Sequence, residues 1–424
     1  MSVRFQFAWI DSGPSPDKLA QFTMATLRVD ADNATITAAV DRASRIYSNE
    51  VIVPLFNVAE WLVTNWWHLW YEVADTNEQP PDFEARHNLA FVADGFVLPQ
   101  LTITPASSTR MHLSWTRHKP RHARIEFLEE GYQTVEREAL DAELRNLIDA
   151  VLEQLHTHAE TEVVASRLGQ AWNAVNNLED DEVEFSRAAA LFGVDPFDVR
   201  DDVAHAIAAF WERTAPSVRE DALALANGEA LPSLANWLSD AVETLTKRRP
   251  RSDWSEIRSA LPPPPAGLEP WARGYQLARS VRQRLGNAGP MTLRRTGPLA
   301  IPRQETQPPS TRIHGLVGAD TPACLTAPRS DFGTRFLQGR ALGDYLGRTT
   351  TGPGLLSSLA TDRQAQSRAF AAEFLAPADS LRDRITGRCV DSEQVDDLGR
   401  EFRVSSELIR RQIQNHDLAQ LLAY

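Results

Sequence analysis

A chain of 424 residues, 42% hydrophobic and 24% charged, is long enough for two or three soluble domains with real cores. The opening residues lack the basic-then-apolar build of a secretory signal, and Asn57, Glu60, Asn65 and His68 interrupt the longest apolar stretch, Val51 to Tyr71, so no membrane span is expected. Two cysteines, Cys324 and Cys389, exclude a disulfide framework and lack metal-site spacing, which points to the cytoplasm.

The net charge of −13 is unevenly spread. From Leu268 to Tyr424 there are 21 Arg, no Lys and 16 Asp or Glu, a balance of +5 that leaves −18 on the rest of the chain. An acidic front argues against wholesale nucleic-acid binding there and leaves contact through the back half open. Arg outnumbers Lys by 41 to 3, which suggests a GC-rich bacterial genome.

In chain order, residues 1 to about 130 mix strand and helix signals. VRFQFAWI, FTMATLRVD and ATITAAVD read as strands. Between Pro54 and Glu72, Leu55, Val58, Leu62, Trp66 and Leu69 recur at helical steps of three and four. HNLAFVADGFVLPQLTI, RMHLSWTR and ARIEFLEE read as further strands, with a turn at His118-Lys119-Pro120-Arg121. From Val135 to Glu160 an amphipathic helix is expected, with Leu140, Leu144, Leu147, Val151 and Leu155 on one face. FSRAAALFGVDPFDVRDDVAHAIAAFW then reads as helix, break and helix, and LPSLANWLSDAVETLTKR as another helix. Pro262 to Pro265 make a stiff linker, PWARGYQLARSVRQRLG is helical, a Pro-rich stretch runs to about Pro309, and a compact region ends the chain.

The expected fold class is α+β. An N-terminal mixed domain without an assigned role covers 1–175, a helical segment 176–260, a Pro-rich linker 261–267, and a mostly helical C-terminal domain with little or no sheet 268–424.

Several constellations invite a functional reading. Trp61, Trp66, Trp67, Trp70 and Tyr71 have the composition of a stacking platform, but their helical spacing among aliphatics favours core packing. The stretch Arg110 to Arg124 holds Arg110, His112, Arg117, His118, Lys119, Arg121, His122 and Arg124, a phosphate-binding hairpin or, more commonly, a solvated turn. His156 and His158 do not share a helix face and complement a helix end better than they bind a metal. The helix–break–helix from Val183 to Phe210 has a helix-turn-helix outline, but three Asp near the start of its second helix would repel phosphates.

The last ninety or so residues carry the most information. In TRFLQGRALGDYL, QAQSRAFAAEFLAPADSLR and VDDLGREFRVSSELIRRQIQN, the residues Arg335-Phe336, Leu342-Gly343 and Leu346, then Phe370-Ala371, Leu375 and Pro377, then Leu398, Phe402, Val404-Ser405 and Ile409, fall in three ordered blocks. Together with Tyr275 and Leu277 on the preceding helix, they resemble the zinc-peptidase domain of the ImmA/IrrE family, over the chain beyond about residue 268 only. The resemblance implies a zincin-like C-terminal domain. In the family, two histidines at i and i+4 hold zinc and a Glu between them activates water. At those places this chain has Arg340, Ala341 and Asp344, and where acidic residues follow on the second helix it has Gln364 and Gln366. A guanidinium cannot ligate a cation, and alanine cannot accept a proton. No metal, no cofactor and no peptidase activity are therefore expected. An Arg340–Asp344 ion pair is expected across the vacated position, completed by Gln364 or Gln366.

What the resemblance then implies is a pseudo-peptidase: a regulatory, stress-response or phage-defence protein that holds a protein partner without cutting it. One alternative is a nucleic-acid-associated transcriptional regulator using the basic, helix–turn–helix-like Arg400, Arg403, Arg410 and Arg411. Another is an active hydrolase on other residues, for which His314, Asp320 and Asp331 lie nearby without triad or metal spacing.

Overall fold

A computed structural model describes residues 3–32, 34–76, 79–80, 82–92, 95–119, 124–226, 230–247, 254–262, 267–286, 289–291, 293 and 299–422. The fold is α+β, as its residue patterns require, and it divides into two compact units, Met1–Asp201 and Asp202–Tyr424. The division falls inside the helical segment expected over 176–260, so helix Asp180–Leu191 belongs to the first unit and helix Leu231–Lys247 to the second. The helix–break–helix outline of 183–210 is split by the same division. Most of the four-proline linker and the second half of the 118–121 turn lie outside the described residues.

In the first unit, strand Met24–Ala31 pairs antiparallel with Val3–Trp9 on one side and with Ala34–Thr35 and Val51–Pro54 on the other. Its alternate residues Ala25, Leu27 and Val29 are wholly buried, the period of two that one covered sheet face demands. An antiparallel meander of Gln100–Pro105, Arg110–Thr116 and Gly131–Glu136 forms a second sheet, and Tyr47–Ser48, Ala39–Asp41 and Ile125–Phe127 a third. Helix Arg137–His156 buries Leu140, Leu144, Leu147, Val151 and Leu155. Val135 precedes it in a strand, so the expected helix starts two residues later. The helical period after Pro54 is divided at Asn65 into Leu55–Thr64 and Trp66–Tyr71, and Trp66, Trp67 and Trp70 are buried in the core. Trp66 meets Trp172 edge-on at 4.8 Å, under the Arg145 guanidinium.

The second unit corrects the expectation of a C-terminal domain with little or no sheet. Ile313–Val317 pairs antiparallel with both Cys324–Thr326 and Gly354–Ser357, and Arg303–Glu305 adds a parallel edge. These strands are only three to five residues long, too short to show alternation among the surrounding prolines. Gly315 belongs to the sheet for a steric reason, since a Cβ there would sit 2.3 Å from the Leu325 carbonyl oxygen. Helix Asp331–Gly347 packs against the sheet, helix Asp362–Leu375 packs on that helix, and helix Pro270–Arg284 lies alongside Asp362–Leu375. Among the described residues, no helix is long and apolar enough to cross a membrane.

Candidate functional site

The polar centre of the second unit lies where helices Asp331–Gly347 and Asp362–Leu375 meet. Each begins on a hydroxyl cap: Ser330 Oγ accepts from Gly333 N, and Thr361 Oγ1 accepts from Gln364 N. Their close approach depends on the Leu342-Gly343 step, because a Cβ at Gly343 would meet the Phe370 ring at 2.6 Å. That approach brings Arg340, Asp344 and Gln364 together.

Arg340 is 2% exposed. Its Nη2 donates to Gln364 Oε1 at 2.6 Å and to the Ser357 carbonyl at 3.0 Å, its Nη1 to His314 Nδ1 at 3.1 Å, and its Nε to Ser367 Oγ at 3.4 Å. All these acceptors are neutral, and the contact with Nδ1 requires that imidazole nitrogen to be unprotonated. Burial, with Arg368 nearby, lowers the Arg340 pKa to about 9, so the group remains charged at pH 7.

The Arg340–Asp344 pair expected from the sequence is absent. Asp344 is paired instead with Arg348, one helical turn onward, and through Oδ1 with Arg363 Nε at 2.7 Å. Acid before base is the favourable order along a helix, and Arg348 at i+4 satisfies it where Arg340 at i−4 does not. Burial pushes the Asp344 carboxyl up, but Arg363 and Arg348 outweigh it and hold the group below the usual carboxylate range. Burial lowers Arg363 as well, and Asp344 and Asp221 reverse that, leaving it raised.

Gln364 uses every donor and acceptor of its amide. Its Oε1 also accepts from Ser357 N at 3.1 Å, and its Nε2 donates to the Leu355 carbonyl at 2.8 Å and to Asp221 Oδ2 at 2.9 Å. Asp221 is carried by the short helix Pro216–Leu223, 143 residues away in the chain, and burial raises its pKa. Gln366 is not part of the centre: its amide packs where a Cβ of Gly347 would be. Ala341 is wholly buried in the apolar core.

Sequence reasoning passed over Arg348, Arg363 and Asp221. The first was legible as an i+4 partner of Asp344. The other two depend on which helices and strands the fold apposes. Of the three outlying residues, only His314 reaches the centre; Asp320 lies in the turn after strand Ile313–Val317, and Asp331 in the first turn of its helix.

A zinc ion does not fit these residues. The carboxylate oxygens of Asp344 are taken by two guanidinium groups, a third guanidinium stands at the other helical position, and the second helix offers an amide fully engaged elsewhere. Among the described residues, no group of three or more His, Cys, Asp or Glu is placed to hold a metal.

The other singled-out residues have structural surroundings. Arg400 pairs with Asp397, Arg411 with Glu407 at 2.7 Å, and Arg403 holds a left-handed turn at φ 56° between helices Ser392–Phe402 and Ser406–Asn415, a run that also contains Arg410. His112 is pushed down to about 4 by burial and then by Arg110, so it is neutral at pH 7 and offers a phosphate no charge. Arg117 donates to the Leu128 carbonyl and Arg124 pairs with Asp41 at 3.2 Å, while Pro120 to Ala123 lie outside the described residues. His156 faces Glu162, and His158 stacks on Phe22.

The first unit has a polar centre of its own. Glu72 accepts from Arg86 through both oxygens, at 2.5 and 2.7 Å, and faces His87 Nε2 at 3.1 Å, while His87 Nδ1 faces the Ile103 carbonyl. Burial raises the Glu72 carboxyl, and the His87 and Arg86 hydrogen bonds bring it below its ordinary value. No protein-family model matches the chain, and no curated protein matches it.

Proposed function

We propose that the chain is a peptidase-like scaffold of ImmA/IrrE type that has lost peptidase chemistry and acts in the bacterial cytoplasm, as a regulatory or defence-associated protein that binds a protein partner. One observation carries this reading. Where the resemblance would put a metal-binding helix face, the chain presents a buried Arg340 beside an Asp344 held between Arg348 and Arg363. Both Asp344 oxygens already accept from guanidinium groups, and a charged guanidinium is neither nucleophile, base nor ligand.

The test combines metal analysis with proteolysis. Purified full-length protein, loaded with zinc and dialysed, is expected to retain far less than one equivalent, and to cleave neither casein nor proteins co-purified with it. Stoichiometric zinc, or any cleavage abolished by a chelator, overturns the reading. Tagged protein recovered from its own host is expected to retain a partner protein in constant ratio, and recovery of the chain alone counts against a binding role.

A further inference from the structure

The polar centre of the second unit is out of balance. Three guanidinium groups, on Arg340, Arg348 and Arg363, gather around one deeply buried carboxylate, Asp344, whose two ion pairs leave Arg340 with neutral acceptors only. A buried charge without an ion-pair partner is costly, and the surplus draws a second anion toward the cluster against the cost of burying it, which prevails at Asp221 and raises its pKa.

Asp221 is that second anion, and it is held differently from the first. Among the described residues its carboxylate receives one hydrogen bond, from Gln364 Nε2 at 2.9 Å, and stands 3.6 Å from Arg363 Nη1. Its side chain is 16% exposed and that of Arg363 29%, against 1% for Asp344. The Asp221 position is thus the outer end of the cluster, and Asp344 lies beneath it. Helix Pro216–Leu223 has an apolar anchor besides Asp221, in buried Val218, Ala222 and Leu223, and its Ser217 carbonyl accepts from Arg363 Nη1 at 3.3 Å.

We infer that Arg363 and Gln364 form a carboxylate seat, occupied in the folded chain by Asp221, which takes an Asp or Glu side chain of an acidic segment of the protein partner. The inference rests on the scaffold reading above and names the chemistry of what that scaffold binds. A guanidinium beside a neutral amide donor suits a singly charged carboxylate; a phosphate dianion would be met by one cation and an amide. Asp221 acts as an internal competitor that keeps the seat filled until a segment with several acidic residues displaces it.

The test measures binding of a blocked tetra-glutamate peptide to the full-length chain by calorimetry, with a tetra-glutamine peptide and inorganic phosphate as comparison probes. Asp221→Ala is expected to bind tetra-glutamate at least about tenfold more tightly than the parent, and Arg363→Gln added to it is expected to abolish the gain. Neither protein is expected to bind tetra-glutamine. Asp221→Asn, which keeps an acceptor for Gln364 but loses the charge facing Arg363, serves as the second variant should Asp221→Ala unfold, and a smaller gain in the same direction is expected. Equal affinity of parent and variant, a gain that survives Arg363→Gln, or phosphate binding as tight as the peptide overturns the inference. Its failure in a protein that neither retains zinc nor cleaves leaves the scaffold reading standing. Zinc retention or cleavage removes both.

Discussion

Glu72 in the first unit and Asp344 in the second are both buried among cations, and the two centres are built differently. Glu72 meets Arg86 through both oxygens and His87 through one, and each partner lies close in the chain, so that this centre is closed within a short stretch of fold. Asp344 is also doubly paired, but its surroundings add Arg340, which among the described residues has neutral acceptors only, and Asp221, which accepts one hydrogen bond, from Gln364. A buried ion pair with its hydrogen bonds complete is a structural device whose removal costs stability. A cluster with surplus charge and a more exposed second carboxylate is the basis of the carboxylate seat we propose.

The largest effect should come from Asp344→Ala, which leaves Arg348 without its counter-charge and Arg363 with Asp221 alone. It is expected to destabilise the second unit by about 3–5 kcal/mol, read as a lowered urea midpoint. A loss below about 1 kcal/mol would mean the cluster is no structural device. Glu72→Gln should cost about 1–3 kcal/mol. Hydrogen exchange should show the increase in peptides from 1–201 and not in those from 202–424, and an equal increase in both would break the division of roles.

Acid should affect the two kinds of carboxylate in opposite senses. Asp344 and Glu72 are held below their ordinary range, so the stability they contribute is present above the unfolded carboxylate pKa of about 4 and is lost as pH falls through their lowered values. Asp221 is raised, so its favourable contribution is present below that unfolded value and is lost as pH rises through its folded one. Asp221→Asn should therefore be at least as stable as the parent at pH 7, by about 1 kcal/mol or less, with the difference shrinking toward pH 3 in urea titrations. A difference that grows on acidification would contradict the sign. Least of all, Arg400→Ala and Arg411→Ala, each breaking an exposed local pair, should leave the urea midpoint where it is.

Much of the fold was readable in residue order. The face of helix Arg137–His156 follows from five aliphatics at helical spacing, and the burial of Trp66 and Trp70 from their step of four. Gly343 was visible within its block, although its reason, contact with the Phe370 ring, lies on another helix. The short strands of the second unit were not readable, because three to five residues next to prolines leave no period to detect.

At the candidate site, residue order by itself determined the chemistry present: a guanidinium, a methyl group and a carboxylate on one helix, and two amides on another. Side-chain type fixes what a group can donate, accept or ligate, whatever the fold. Which groups meet was decided only by tertiary structure. It turned Asp344 toward Arg348 and Arg363 rather than Arg340, sent Gln366 away, and brought Asp221 from 143 residues off to the outer edge of the cluster. The physical reason is range. Helical spacing relates residues within one turn, whereas ion pairing acts between whatever neighbours the packed helices and strands bring within a few ångströms.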